Sequence, residues 1–231
     1  MLKLFAILCV LAGQSLSAEA QLGSQDILLA LRSHKPATVE DFIRLLPLEL
    51  RQNSVLIHAS ESQNQSSLEF PRILLFNQDA SVLIAFMGDK RSGRANFVEM
   101  IHYNPATRSF HPTEIEFPTS LNGLREVRIE TNPQSCRACH GAISFHPIWA
   151  AYDKWPGIIG GTHAGGIPTG FAERRLYARF KSKLGHGDKE RYTLLEPLPS
   201  GVGVLAARSS RLTGLLAGLN SERVAELLWQ D

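Results

Sequence analysis

Cysteine and methionine are both scarce here, three of each in 231 residues, and no methionine follows Met100. Cys9 falls in an N-terminal stretch that reads as a secretory leader. There Lys3 gives a positive start, residues 4–12 form a short apolar run and Ala18-Glu19-Ala20 offers a small-residue cleavage site, so residues 1–20 are set aside as a signal peptide. The mature chain keeps only Cys136 and Cys139, too few for a disulfide framework. Long apolar runs are also missing. The leader's run is far short of the about 20 residues that span a bilayer, and the runs at 73–76 and 82–87 are interrupted by turn residues and charge. Charge of one sign is lacking as well: a net +2, unchanged when Lys3 and Glu19 leave with the signal, gives no nucleic-acid footprint. These absences exclude a disulfide scaffold, a membrane span in the mature chain and a nucleic-acid binder. They leave an exported protein, periplasmic or secreted.

What is present reads as an α+β chain. Residues 26–32 predict a short helix. A second begins at Thr38, where Thr38-Val39-Glu40-Asp41 has the form of a capping box, and Phe42, Ile43, Leu45 and Leu46 give it an apolar face until Pro47 stops or kinks it. Residues 72–76 and 82–87 are β-branched and apolar and are joined by Asn77-Gln78-Asp79-Ala80, a hairpin signal. Residues 97–103 run into Asn104-Pro105-Ala106-Thr107 and return through 113–117, where Glu114 and Glu116 alternate with Ile115 and Phe117 as in a strand with one wet face. Residues 126–130 repeat that alternation with Val127 and Ile129 inward. The expectation is an antiparallel meander of four or five strands, then a loop-rich stretch, then helices over 171–184 and 211–229. In domain terms this gives a signal at 1–20, a helical segment at 21–60, a sheet region at 61–131 and a loop and helical region at 132–231, packed with the sheet as one domain.

The chemistry sits in Cys136-Arg137-Ala138-Cys139-His140, a C-x-x-C-H motif. Two thiols at this spacing form thioethers to the vinyl-derived carbons of one porphyrin, and the adjoining histidine is then held under the iron as an axial ligand. The motif therefore predicts one covalent haem c with His140 as the metal ligand, and attachment outside the cytoplasm agrees with the leader. Two rivals are weaker. A redox disulfide expects a βαβ setting that the glycine- and proline-rich sequence after His140 does not offer, and zinc would need further ligands at a recognisable spacing, which no second C-x-x-C or H-x₃-H supplies.

For the sixth iron position no methionine stands downstream. Met87 and Met100 lie in strand-like runs upstream, where methionine is usually core filler. Of His146, His163 and His186, the candidate is His163, in the loop Gly160-Gly161-Thr162-His163-Ala164-Gly165-Gly166. A five-coordinate iron is the other expectation. Trp149, Tyr152 and Trp155 follow the motif closely, and Trp149 and Trp155 are candidate haem-packing residues, since aromatic rings shield a porphyrin from water. The basic run Arg174, Arg175, Arg179, Lys181, Lys183, Lys189 and Arg191 reads as a solvated helix face, with docking of an acidic redox partner or pairing with haem propionates as the alternative.

Cys136-Arg137-Ala138-Cys139-His140-Gly141, followed by Pro147-Ile148-Trp149, Tyr152 and Trp155-Pro156-Gly157, resembles a group of secreted bacterial mono-haem cytochrome c-like proteins. The likeness begins near Pro71 and continues through Arg191-Tyr192-Thr193-Leu194-Leu195 to Leu219-Asn220-Ser221-Glu222-Arg223. It implies haem c held by Cys136, Cys139 and His140. The chain departs from the group at His146, where an arginine is expected, and in the glycine-rich segment around His163. Members of the group tend to be longer, so a partner lobe could be missing here. Nothing in the sequence resembles a nucleophile–base pair or a paired-carboxylate site, so the expected activity is single-electron transfer with a redox partner protein rather than enzymatic turnover. The chief rival is an open-site haem protein, peroxidase-like or binding nitric oxide or carbon monoxide, because a motif placed after a sheet resembles the sheet-built cytochromes c-prime. A C-x-x-C redox or interaction protein without haem is the third reading.

Overall fold

The structure is a computed structural model that describes residues 23–58, 66–106, 109–136, 158–159, 171–183, 191–195, 212, 214–219, 221 and 225. Helix α1, Ser24–His34, starts where the Asp26 carboxylate accepts the Gly23 N–H at 3.0 Å. It ends where Lys35 turns left-handed and returns its N–H to the Leu31 carbonyl. Helix α2, Val39–Leu45, is capped as its sequence predicts: Thr38 Oγ1 accepts the Asp41 N–H at 3.1 Å and donates to Asp41 Oδ2 at 2.8 Å. Pro47 ends this helix and starts another, α3 at Leu48–Gln52.

The sheet has seven strands, β1 Ser54–Ile57, β2 Arg72–Phe76, β3 Val82–Met87, β4 Phe97–Asn104, β5 Ser109–Glu116, β6 Arg128–Thr131 and β7 Ile158–Ile159. Their order is β6-β5-β4-β3-β2-β1-β7 and every neighbouring pair is antiparallel, so six consecutive strands form a meander and β7 closes the far edge of β1. This is the α+β architecture expected, with more strands than the four or five read from sequence. β1 falls inside the stretch assigned to N-terminal helices. The β2–β3 turn is held by Asn77, whose Oδ1 accepts the Val82 N–H at 2.9 Å and whose Nδ2 donates to Ser81, while Ala80 adopts a left-handed φ of 57°.

Alternation along the strands divides the sheet into two unlike faces. The first carries Ile73, Leu75, Ile84, Phe86, Val98, Met100 and Ile115, and it packs against Ile27 and Leu31 of α1, Phe42 and Ile43 of α2 and Leu50 of α3. Leu176 of α4, Phe171–Lys183, and Tyr192 of the 3₁₀ helix Arg191–Leu194 complete this core. The ring of Tyr192 lies so close to Gly88 that a Cβ at that position would overlap it. Arg191 departs from its expected place in a solvated basic face. It is buried, with Nε donating to Glu40 Oε1 at 2.7 Å and Nη1 to the Met87 carbonyl at 2.9 Å, because this short helix is pressed into the core rather than extending α4. Arg174 and Arg175 are exposed as expected, and Arg179 reaches Asp89 at 3.8 Å.

The second face carries Val55, Leu74, Phe76, Leu83 and Ala85, and the C-terminal helical residues lie on it through Leu212 and Leu216. Glu114 and Glu116 belong to this face. The expected wet strand face is therefore corrected: the two carboxylates are only 9% and 8% exposed, since Arg94 closes on Glu114, and Arg128, Asn96 and Asn122 on Glu116. Among the described residues no helix is long and apolar enough to cross a membrane.

Candidate cofactor-attachment site

The chain reaches the cysteine motif by turning off the sheet edge. β6 stops at Thr131, and Asn132 takes a left-handed φ of 52°, a conformation that asparagine tolerates better than most residues, while its N–H donates to the Pro112 carbonyl at 2.8 Å. Pro133 is buried and its carbonyl accepts the Cys136 N–H at 3.1 Å, closing one helical turn over residues 134–136. That turn brings Cys136 back over the second face. It sits half-buried against Tyr103 and Phe110, with Ile101 and Leu219 beside it. Tyr103 and Phe110 are a cross-strand pair in register on β4 and β5, their rings 4.9 Å apart and inclined at 51°.

Next to this apolar seat lies a charged row. Glu99 and Glu114 are partners across β4 and β5, and alternation puts them on the same face as Ile101, Tyr103 and Phe110. Glu99 is ion-paired with Arg72 of β2, and Arg94 Nη2 donates to Glu114 at 2.6 Å while its guanidinium lies 3.6 Å over the Phe97 ring. The side chains of both pairs are mostly buried. One row further along, Glu116 is held by Arg128, Asn96 and Asn122.

This setting acts on the cysteine. Burial, then the negative charges of Glu99 and Glu114, push the Cys136 thiol up to about 11, against a hydrogen bond with Ser135 and the positive charge of Arg72. Cys136 is thus a protonated thiol at neutral pH. An apolar seat with two aromatic rings offers the dry surface that a thioether-linked porphyrin edge needs. In that respect the residues present fit haem c.

Of the residues singled out from sequence, Cys136 alone of the cofactor set is placed. Cys139, His140, Trp149, Trp155 and His163, the leader, and the other downstream histidines lie outside the described residues. The upstream methionines are both fully buried strand residues, and Met100 projects into the core on the face opposite Cys136, which removes it as a ligand for an iron tethered there. Among the described residues no three histidine, cysteine or acidic side chains group as a metal site. Sequence reading missed Tyr103 and Phe110 as the seat, and Arg72, Arg94, Glu99 and Glu114 as its charged border. The usable signal was the period of β4, which puts Glu99, Ile101 and Tyr103 on one side. No family model, curated protein or solved structure matches this chain.

Proposed function

We propose that this chain is an exported, periplasmic or secreted mono-haem c-type cytochrome. In this reading Cys136 and Cys139 hold one haem c through thioethers, His140 is the axial iron ligand, and single electrons pass to and from a redox partner protein. The observation that carries the reading is the C-x-x-C-H motif itself, whose first cysteine sits half-buried on the Tyr103–Phe110 pair. The bound haem would supply a one-electron iron couple. The chain's own residues do the rest. Cys136 would hold one porphyrin edge, and Tyr103, Phe110 and Leu219, which pack around it, would shield that edge from water. The covered second face supplies a low-dielectric floor. The likeness to secreted cytochrome c-like proteins supports the same assignment, with Trp149 and Trp155 as further packing residues and His163 as the candidate sixth ligand.

Spin state tests electron transfer against the open-site alternative. A low-spin ferric spectrum, and a ferrous spectrum unmoved by carbon monoxide, are the expected results for the exported holoprotein, and His163→Ala should convert it to high spin. A high-spin wild type that binds carbon monoxide would replace the electron carrier with an open-site haem protein.

A further inference from the structure

We propose that the outer edge of β6 is a homodimer interface, where two copies of this chain pair β6 to β6, antiparallel about Ile129, into one continuous sheet. The inference is independent of the haem c reading. β6 ends the sheet, and among the described residues no strand lies beyond it. The Asn132 N–H reaches the Pro112 carbonyl of β5, and hydrogen bonding alternates along an antiparallel pair, so Arg128 and Glu130 also bond inward to β5. Val127, Ile129 and Thr131 therefore turn their N–H and C=O groups outward, and no described residue bonds to them. Such a row is a template for another strand.

Charged edge strands usually repel a newcomer, but here the charges suit a second copy. With Ile129 opposite the partner's Ile129, Arg128 stands opposite the partner's Glu130, and Glu130 opposite the partner's Arg128. Centring the pair on Arg128 or on Glu130 would oppose like charges instead. Glu130 lacks a cation in the single chain: its neighbour across the ladder is Glu114, already held by Arg94, and it makes no ion pair among the described residues. Arg128 is 57% exposed beside Glu116 and keeps N–H donors for a second carboxylate. On the other side of the strand Val127 and Ile129 pack on the first core but are only partly covered, and a second copy extends that apolar row. A two-fold axis through the Ile129 pair runs normal to the sheet, so Cys136 of both copies lies on the same side.

Sedimentation velocity of the exported full chain tests this. The wild type should be a concentration-dependent dimer. Glu130→Lys and Arg128→Glu should each raise the dimer dissociation constant at least about tenfold, because each sets like charges opposite one another twice. An equimolar mixture of the two variants should recover the dimer, since every facing pair then has opposite signs. Thr131→Pro removes one outward N–H, leaves the β5 ladder intact and should weaken the dimer likewise. Glu130→Lys and Thr131→Pro change only exposed side chains, so they decide the matter even if Arg128→Glu, which sets a like charge beside Glu116, fails to fold. A wild type that is monomeric throughout would overturn the proposal and leave the edge to a strand of another protein. A dimer indifferent to these substitutions, or a mixture of folded variants that stays monomeric, would overturn the β6 pairing.

Discussion

The two faces of the sheet come from the same strands and do different things. On one, Ile73, Ile84, Phe86, Val98 and Ile115 meet α1, α2 and Tyr192 in an apolar contact. On the other, Leu74 and Ala85 stand in the same cross-strand row as Glu99 and Glu114, and the covering chain brings a cysteine. The first face supplies most of the hydrophobic free energy of folding, since fully burying one large apolar side chain contributes about 1.5–3 kcal/mol. Ion pairs on the second add little net stability, because desolvating two charges offsets most of their attraction.

That contrast can be broken by mutation. The largest loss is expected on the apolar face: Phe86→Ala should cost about 3–5 kcal/mol in urea unfolding, and a cost below about 1 kcal/mol would mean this face is not the core. On the other face, Arg72→Met alone should cost about 3 kcal/mol by stranding the Glu99 carboxylate, while Arg72→Met with Glu99→Leu should return close to wild type. A double variant as unstable as the single would show that the pair does contribute net stability. Gly88→Ala comes next at about 1–3 kcal/mol, from overpacking against Tyr192; a neutral result would mean that the Tyr192 ring has room to move aside.

The smallest effect is a pH dependence at the end of the apolar face. His102 and His111 stack in register with ring centroids 5.1 Å apart, and burial, with the neighbouring His111 charge, lowers the His102 pKa. The unfolded chain then binds a proton at this site more readily than the folded one. Stability from this group is complete above its unfolded value of about 6.5 and declines as pH falls through that value toward the lower folded one. His102→Gln should flatten unfolding free energy between about pH 7 and pH 5, and an unchanged slope would assign the titration elsewhere.

Much of this fold was legible because local and long-range signals agree. The Thr38 cap, the Asn77 turn and the β2–β3 pair appear where the sequence puts them. β5 starts earlier than read because Pro112 argues against a strand interior. In the fold it lies just past the end of β6, where no partner strand needs the N–H that proline lacks. β1 is four residues long and fully buried, so it shows no alternation to detect. The acidic period of β5 was correctly a strand signal, and its error was to take charge for exposure. Only the tertiary fold brings Arg94 and Arg128 to those carboxylates. For the site, the motif pointed to Cys136, but the cysteine's seat on Tyr103 and Phe110 depends on a strand register far upstream that the motif does not encode.

The most direct test is a reduced pyridine-haemochrome spectrum of the chain exported from cells with a haem-attachment system, after acid–acetone extraction of loose haem. The account predicts a retained haem with c-type absorption that is lost in Cys136→Ser with Cys139→Ser. A colourless extracted protein would contradict it and leave Cys136 and Cys139 to a disulfide or a metal.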